Sequence, residues 1–180
     1  MISEKMQKAI NDQINAEIYS SYLYLSMSAA FESLDLEGGG NWFRCQAQEE
    51  LVHAMKFFHY LTERQARVIL APLAGPPTEW ASPLAIFEEA YKHEQKVTGL
   101  IHHLVDLAIT EKDHTTNNIL QWLISEQIEE EKSTGTLATK LKLIGKDTTA
   151  LFMLDQEMAA RTFVMPASMS TLGAPTAPGA

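Results

Sequence analysis

The stretch Val68-Ile69-Leu70-Ala71-Pro72-Leu73-Ala74-Gly75-Pro76-Pro77-Thr78-Glu79-Trp80-Ala81-Ser82 decides the fold. Its three prolines each lack a backbone N–H and steer the preceding residue away from the α region, so the run is extended rather than helical. An extended segment of about 15 residues reaches about 50 Å. The chain on either side reads as long helix, and helices of about 28 residues span about 42 Å. The segment can therefore travel the length of a helical bundle and start the next helix parallel to the one before.

Outward from this crossover, Ser82 is an N-cap with Pro83 at the first helical position and Glu88 and Glu89 in the early turns, which predicts a helix over about 83–111. The helix before the crossover is expected over about 41–67 and the first over about 4–34. Between them Leu34-Asp35-Leu36-Glu37-Gly38-Gly39-Gly40 reads as a loop, because three successive glycines are poor helix formers. Asp113 is expected to cap a fourth helix over about 114–144, ending before Gly145, and a short amphipathic fifth falls at about 149–162, whose face of Leu151, Leu154 and Met158, with Phe152 nearby, would be unpaired on a lone bundle and is expected to be buried against other copies of the chain. The other two connections among the long helices are short and imply antiparallel pairs. The expected fold is all-α: a four-helix bundle with one long crossover and a short C-terminal fifth helix. Residues 1–165 form the expected domain, and the Pro-, Gly-, Ser- and Ala-rich run 166–180 reads as a disordered tail.

With 180 residues, 46% of them hydrophobic, the chain has material for one well-buried core and little for two. No run approaches the roughly 20 consecutive apolar residues of a membrane span, and MISEKMQKAINDQ has no apolar signal core, so a cytoplasmic location is expected without a membrane partner. Cys45 is the lone cysteine, which excludes an intrachain disulfide and a four-thiolate metal centre. Asp and Glu outnumber Lys and Arg by 23 to 14, a net charge of -9, which argues against a nucleic-acid partner and suits an acceptor of cations.

Each helix carries a seam at alternating spacings of three and four. The first reads Ile10, Ile14, Glu17, Ser21, Tyr24, Ser28, Phe31, and the second Phe43, Ala47, Glu50, Ala54, Phe57, Leu61. The third reads Leu84, Phe87, Tyr91, Glu94, Thr98, Ile101, Val105, Ala108, and the fourth Leu120, Leu123, Gln127, Glu130, Thr134, Leu137, Leu141, Ile144. In every seam a Glu or Gln interrupts the apolar run close to the midpoint. Helices of similar length, aligned side by side, bring Glu17, Glu50, Glu94, Gln127 and Glu130 to one level, with His53 a turn beyond Glu50 on the same face. Buried carboxylates at one level repel one another and are expensive to desolvate unless cations neutralise them.

Carboxylates with one imidazole and no thiolate suit Fe(II), Mn(II) or a similar ion better than structural zinc or Cu(I). Glu50 is reachable by two ions and can bridge them. Glu49, Glu126 and Glu129 lie one residue to the side and read either as a solvated acidic face or as a third ion's ligands.

These residues resemble a known family, the bacterial non-haem ferritins. Gln46-Ala47-Gln48-Glu49-Glu50-Leu51-Val52-His53-Ala54-Met55-Lys56-Phe57 looks like their second-helix ligand motif, Pro76-Pro77-Thr78-Glu79-Trp80 their crossover, and Leu120 to Glu131 their fourth-helix signature. The resemblance implies a ferritin-like bundle in which Glu17, Glu50 and His53 hold one iron, Glu50, Glu94 and Glu130 the other, and Gln127 hydrogen-bonds nearby. It places Tyr24 beside the centre, as an electron donor or as a core tyrosine bonded to a carboxylate, and assigns Glu49, Glu126 and Glu129 to a third iron. It further implies oxidation of Fe(II) by dioxygen or peroxide, storage of ferric mineral, and a homo-oligomeric shell of 24 subunits with the fifth helix lining a pore.

Where symmetric di-iron bundles repeat GluXXHis, this chain has Gln127 and Glu130, unlike bacterioferritin and rubrerythrin. Leu51 stands where bacterioferritins carry a haem-ligating methionine, so no haem is expected. The alternative reading is a di-iron oxidoreductase of the peroxidase type, without storage; the absence of a CysXXCys electron donor weighs against it.

Overall fold

A computed structural model describes residues 2–165. Five helices follow in order: α1 (Glu4–Glu32), α2 (Glu37–Glu63), α3 (Pro83–Thr110), α4 (His114–Ile144) and α5 (Thr148–Ala159). No helix is long and apolar enough to cross a membrane among the described residues. The expected caps form: the side chains of Ser82 and Asp113 accept from the backbone N–H groups of Ala85 and Thr116. Asp35, Gln65 and Lys112 adopt left-handed backbone at φ 57°, 56° and 56°. Each is followed by a residue whose N–H returns to the last turn (Leu36 to Phe31, Ala66 to Leu61, Asp113 to Ala108), closing α1, α2 and α3 in Schellman turns.

Hydrogen bonds between helices give the directions. Ser21 and Ser28 of α1 donate to the carbonyls of Ala47 and Gly40 in α2, so α1 and α2 run antiparallel. Ser20 meets His93 while Phe31 meets Phe87, so α1 and α3 are antiparallel as well. Helices α2 and α3 are therefore parallel, as the crossover requires. That segment is tied to α1: Asn11 accepts from the N–H of Ile69 (2.7 Å), its amide donates to the carbonyl of Arg67 (3.1 Å), and Ser26 donates to the carbonyl of Pro77 (2.6 Å).

The core is two apolar clusters. One holds Tyr24, Met27, Phe31, Phe43 and Phe87 and extends to Leu154 and Met158 of α5. The other holds Met6, Ile10, Phe57, Leu61, Ile101 and Leu120. Between them lies the polar level of Glu17, Glu50, Glu94, Gln127 and Glu130.

Three expectations are corrected. The loop expected at 34–40 is shorter, because α2 begins at Glu37 and carries Gly38, Gly39 and Gly40 in its first turn. Leu36 provides no side-chain cap; the buried carboxylate of Asp155, from α5, accepts instead from the N–H of Gly38 (3.1 Å) and Gly39 (2.8 Å). A Cβ on Gly38 would lie 1.8 Å from the carbonyl oxygen of Asp155, and one on Gly39 2.1 Å from the Phe31 ring, so the glycines serve close approach rather than helix breaking. Helix ends are also drawn in: α1 stops at Glu32, α2 at Glu63 and α5 at Ala159. Finally, Leu154 and Met158 are not left for a partner chain. They are buried against the bundle that bears them, and Phe152 and Met153 are the exposed pair of α5. The expected tail at 166–180 lies outside the described residues.

Replacing Asp155 with Ala removes a buried cap and should lower stability by about 1 kcal/mol or more. Gly38→Ala should do so by forcing α5 off α2. Thermal unfolding with amide exchange should show faster exchange in α5 and the first turn of α2 while the α3 and α4 centres stay protected; uniform loss of protection would contradict a local seat for α5.

Candidate metal centre

The polar interruptions of the seams arrive inside the bundle as the helical period puts them, but the third seam is shifted at its edge: Tyr91, Thr98 and Val105 are only partly buried, and Ala90, Val97 and Leu104 take the buried positions. Glu17, Glu50, His53, Glu94 and Gln127 are all at most 3% exposed, and Glu130 is 8% exposed. They form two groups in which one candidate atom per residue lies within 4.8 Å of the others: Glu17, Glu50 and His53, and Glu50, Glu94 and Glu130. Glu50 belongs to both. His53 turns Nδ1 inward, 3.5 Å from Glu50 Oε2 and 3.9 Å from Glu130 Oε1, and its ring meets Trp122 edge-on at 5.2 Å.

Amides orient the carboxylates. Gln127 donates to Glu94 Oε2 (2.7 Å) and to the Glu94 carbonyl (3.1 Å), while the Tyr24 hydroxyl donates to Glu94 Oε1. Gln13 donates to Glu17 Oε1 (2.8 Å). Gln46 donates to Glu130 Oε1 (2.9 Å) and Glu50 Oε1 (3.3 Å). Neither Gln13 nor Gln46 was among the expected site residues, although each stands four residues before a candidate carboxylate and hence on the same helical face. Among the described residues, Glu17 Oε2, His53 Nδ1 and Gln127 Oε1 are buried polar atoms with no hydrogen-bond partner. Such atoms are costly to bury unpaired, and the carboxylates and imidazole that come together in the two close groups fit divalent cations with a preference for oxygen and nitrogen donors.

Protonation follows from burial. Glu94 is raised to about 7 by desolvation, against the lowering effect of the bonds from Tyr24 and Gln127. Desolvation, then the charges of Glu94 and Glu17, lift Glu50 well above the ordinary carboxylate range. Glu130 is lifted by desolvation and then by Glu50. Tyr24 is held in its phenol form by burial and then by Glu94 and Glu50. The raised carboxyls hold protons that an arriving cation can displace.

Glu49, Glu126 and Glu129 are placed differently. They line a surface cavity of about 780 Å³ that also reaches Glu130, but they are in neither close group. Glu49 pairs with Arg161, from just beyond α5. Nothing in the sequence marks Arg161, which is 112 residues from Glu49.

A model of the ferritin-like domain matches residues 7–144. The chain is 40% identical over 161 residues to the bacterial non-heme ferritin of Bacteroides fragilis strain 638R, covering 89% of this chain and 100% of that protein. It is 41% identical over 156 residues to the bacterial non-heme ferritin of Campylobacter jejuni, covering 87% and 93%. Among solved structures, an open-pore ferritin from the archaeon Archaeoglobus fulgidus superposes with a TM-score of 0.89 at 55% identity, covering 90% of this chain and 100% of that one.

The raised carboxyls make the metal-free protein pH-sensitive in a defined direction. Between about pH 4.5 and 7 the folded chain keeps a proton on Glu94 that the unfolded chain has released, so the stability Glu94 contributes is lost as pH rises through that window, and the raised Glu50 and Glu130 carboxyls carry the fall in the same direction. Glu94 alone would contribute a change on the order of a few kcal/mol. Thermal unfolding of metal-free protein at pH 5, 6, 7 and 8 should show this fall, and added Zn(II) should raise the midpoint more at pH 8 than at pH 5. A Zn(II) effect independent of pH would contradict proton-for-cation exchange.

Proposed function

The chain belongs to the ferritin family, and on that premise we propose that each subunit takes up two Fe(II) ions at an intrasubunit centre, oxidises them with dioxygen or peroxide, and passes Fe(III) to a mineral store inside a shell of 24 like subunits. The observation that carries this reading is Glu50 shared between two buried ligand groups, one from α1 and α2 and the other completed by α3 and α4. In it Glu17, Glu50 and His53 take one ion, and Glu50, Glu94 and Glu130 the other. The ions are substrate rather than resident cofactor, and no haem takes part.

A pair of Fe(II) ions gives up one electron each, so one dioxygen is reduced to peroxide as both irons become Fe(III). The two apolar clusters above and below the carboxylate level keep these side chains buried, so the charge of an arriving cation is met by fixed ligands in a poorly solvated layer. Gln127 holds Glu94 by its amide nitrogen, while its own buried oxygen has no partner among the described residues. Tyr24, bonded to Glu94, stands where it can donate a further electron. Glu49, Glu126 and Glu129, lining the acidic cavity that reaches Glu130, would take a third iron on its way in or out. A cytoplasmic location belongs to the same reading.

Two measurements test it. Purified metal-free protein given Fe(II) in air should oxidise two ions per subunit rapidly and then keep iron far in excess of that ratio soluble, in a particle of about 480 kDa, 24 chains of 20.1 kDa. Rapid oxidation by a small oligomer that retains no iron would favour the peroxidase-type oxidoreductase instead. In the second, Glu50→Ala should slow paired oxidation by about tenfold or more, because both ions lose a shared ligand. The same change removes like-charge repulsion, so metal-free stability at pH 8 should stay the same or rise. Oxidation near the normal rate in this variant would exclude a bridging Glu50.

A further inference from the structure

Arg161 lies outside the four-helix bundle, yet it is built into the support of the centre. Its carbonyl accepts from Asn41 Nδ2 (2.9 Å) and from the Cys45 thiol (3.7 Å), and its guanidinium lies 4.3 Å above the Trp42 ring with Nη1 on the Trp42 carbonyl (3.4 Å). So held, Nη2 donates to two acceptors, Glu49 Oε2 and Gln46 Oε1, the latter at 2.9 Å. Gln46 is fully buried, and its amide nitrogen is the donor to Glu130 and Glu50.

An amide has one donor end and one acceptor end. A guanidinium carries only donors, so contact with Arg161 requires the oxygen of Gln46 to face outward and its NH₂ to face the carboxylates. Glu50 and Glu130 ask for the same choice from the other end of the amide, so loss of Arg161 removes half of what orients Gln46 and leaves its outer end free to turn. The reversed amide would turn an oxygen toward Glu50 and Glu130 and drive them apart. We propose that Arg161 is a positioning residue for the di-iron centre, acting through Gln46 to fix the orientation of Glu50 and Glu130 and so the geometry of the second cation. The proposal rests on the paired-cation reading above and adds to it a control from the segment after α5. The first group is touched only at Glu50, so the ion held by Glu17 and His53 should be perturbed less.

The test uses full-length wild type, Arg161→Ala, Gln46→Met and the double variant, each checked for particle size and thermal midpoint. The metal-free proteins are titrated without oxygen with Co(II), whose visible absorption reports coordination geometry, and Fe(II) oxidation is timed in parallel. Both single variants should still bind the first Co(II), bind the second more weakly by roughly tenfold with an altered spectrum, and lose a comparable factor in oxidation rate. The double variant should be no worse than either single one, because both act through one contact chain. If Arg161→Ala does not assemble, Gln46→Met carries the same spectral expectation. Effects that add in the double variant, or single variants that change the thermal midpoint while the second Co(II) keeps its spectrum and affinity, overturn the proposal. A wild-type chain that binds no pair of Co(II) ions overturns the paired-cation reading itself and this inference with it.

Discussion

Four carboxylates and an imidazole sit between two apolar clusters, and the rest of the molecule is arranged around their mutual repulsion. Dry burial disfavours their charged forms, and each charge disfavours its neighbours, so protons or cations must hold the level together. The helices on either side bear the cost: Phe31, Phe43 and Phe87 pack one half-core, and Ile10, Phe57 and Ile101 the other. A bundle of this length can sacrifice its middle layer because it has close-packed apolar layers beyond it in both directions.

Every candidate carboxylate in that layer is held by a neutral amide or a phenol rather than by a basic side chain. Gln13 holds Glu17, Gln46 holds Glu50 and Glu130, and Gln127 with Tyr24 holds Glu94. A Lys or Arg in these places would neutralise the charge that attracts a cation, whereas an amide fixes orientation and leaves the charge available. The guanidinium of Arg161 is kept a residue away, facing Gln46 and Glu49 at the edge of the acidic cavity.

The short fifth helix contributes to the same end of the bundle. Asp155 caps the first turn of α2, the glycines of that turn let α5 come close, and the chain leaving α5 brings Arg161 beside Gln46. Helix α2 carries Glu50 and His53, so a contact that sets where α2 begins also bears on the register of the centre.

The crossover, the Ser82 and Asp113 caps and the polar interruptions in all four seams were legible in the sequence, because each depends on the chain's local geometry. Proline restricts its neighbours, a cap acts within three residues, and a 3.6-residue period assigns a face without reference to any other helix. That is why Glu17, Glu50, Glu94, Gln127 and Glu130 were expected at one level and are found there. The start of α2 within the triple glycine, the inward seat of Leu154 and Met158, the pairing of Glu49 with Arg161 and the hold of Arg161 on Gln46 were decided only by the tertiary structure. Each is a contact between residues more than a hundred positions apart or between surfaces that must first be brought together. No local rule distinguishes a glycine that ends a helix from one that lets another helix approach, and the difference here is a carbonyl oxygen 1.8 Å from where a Cβ would have been.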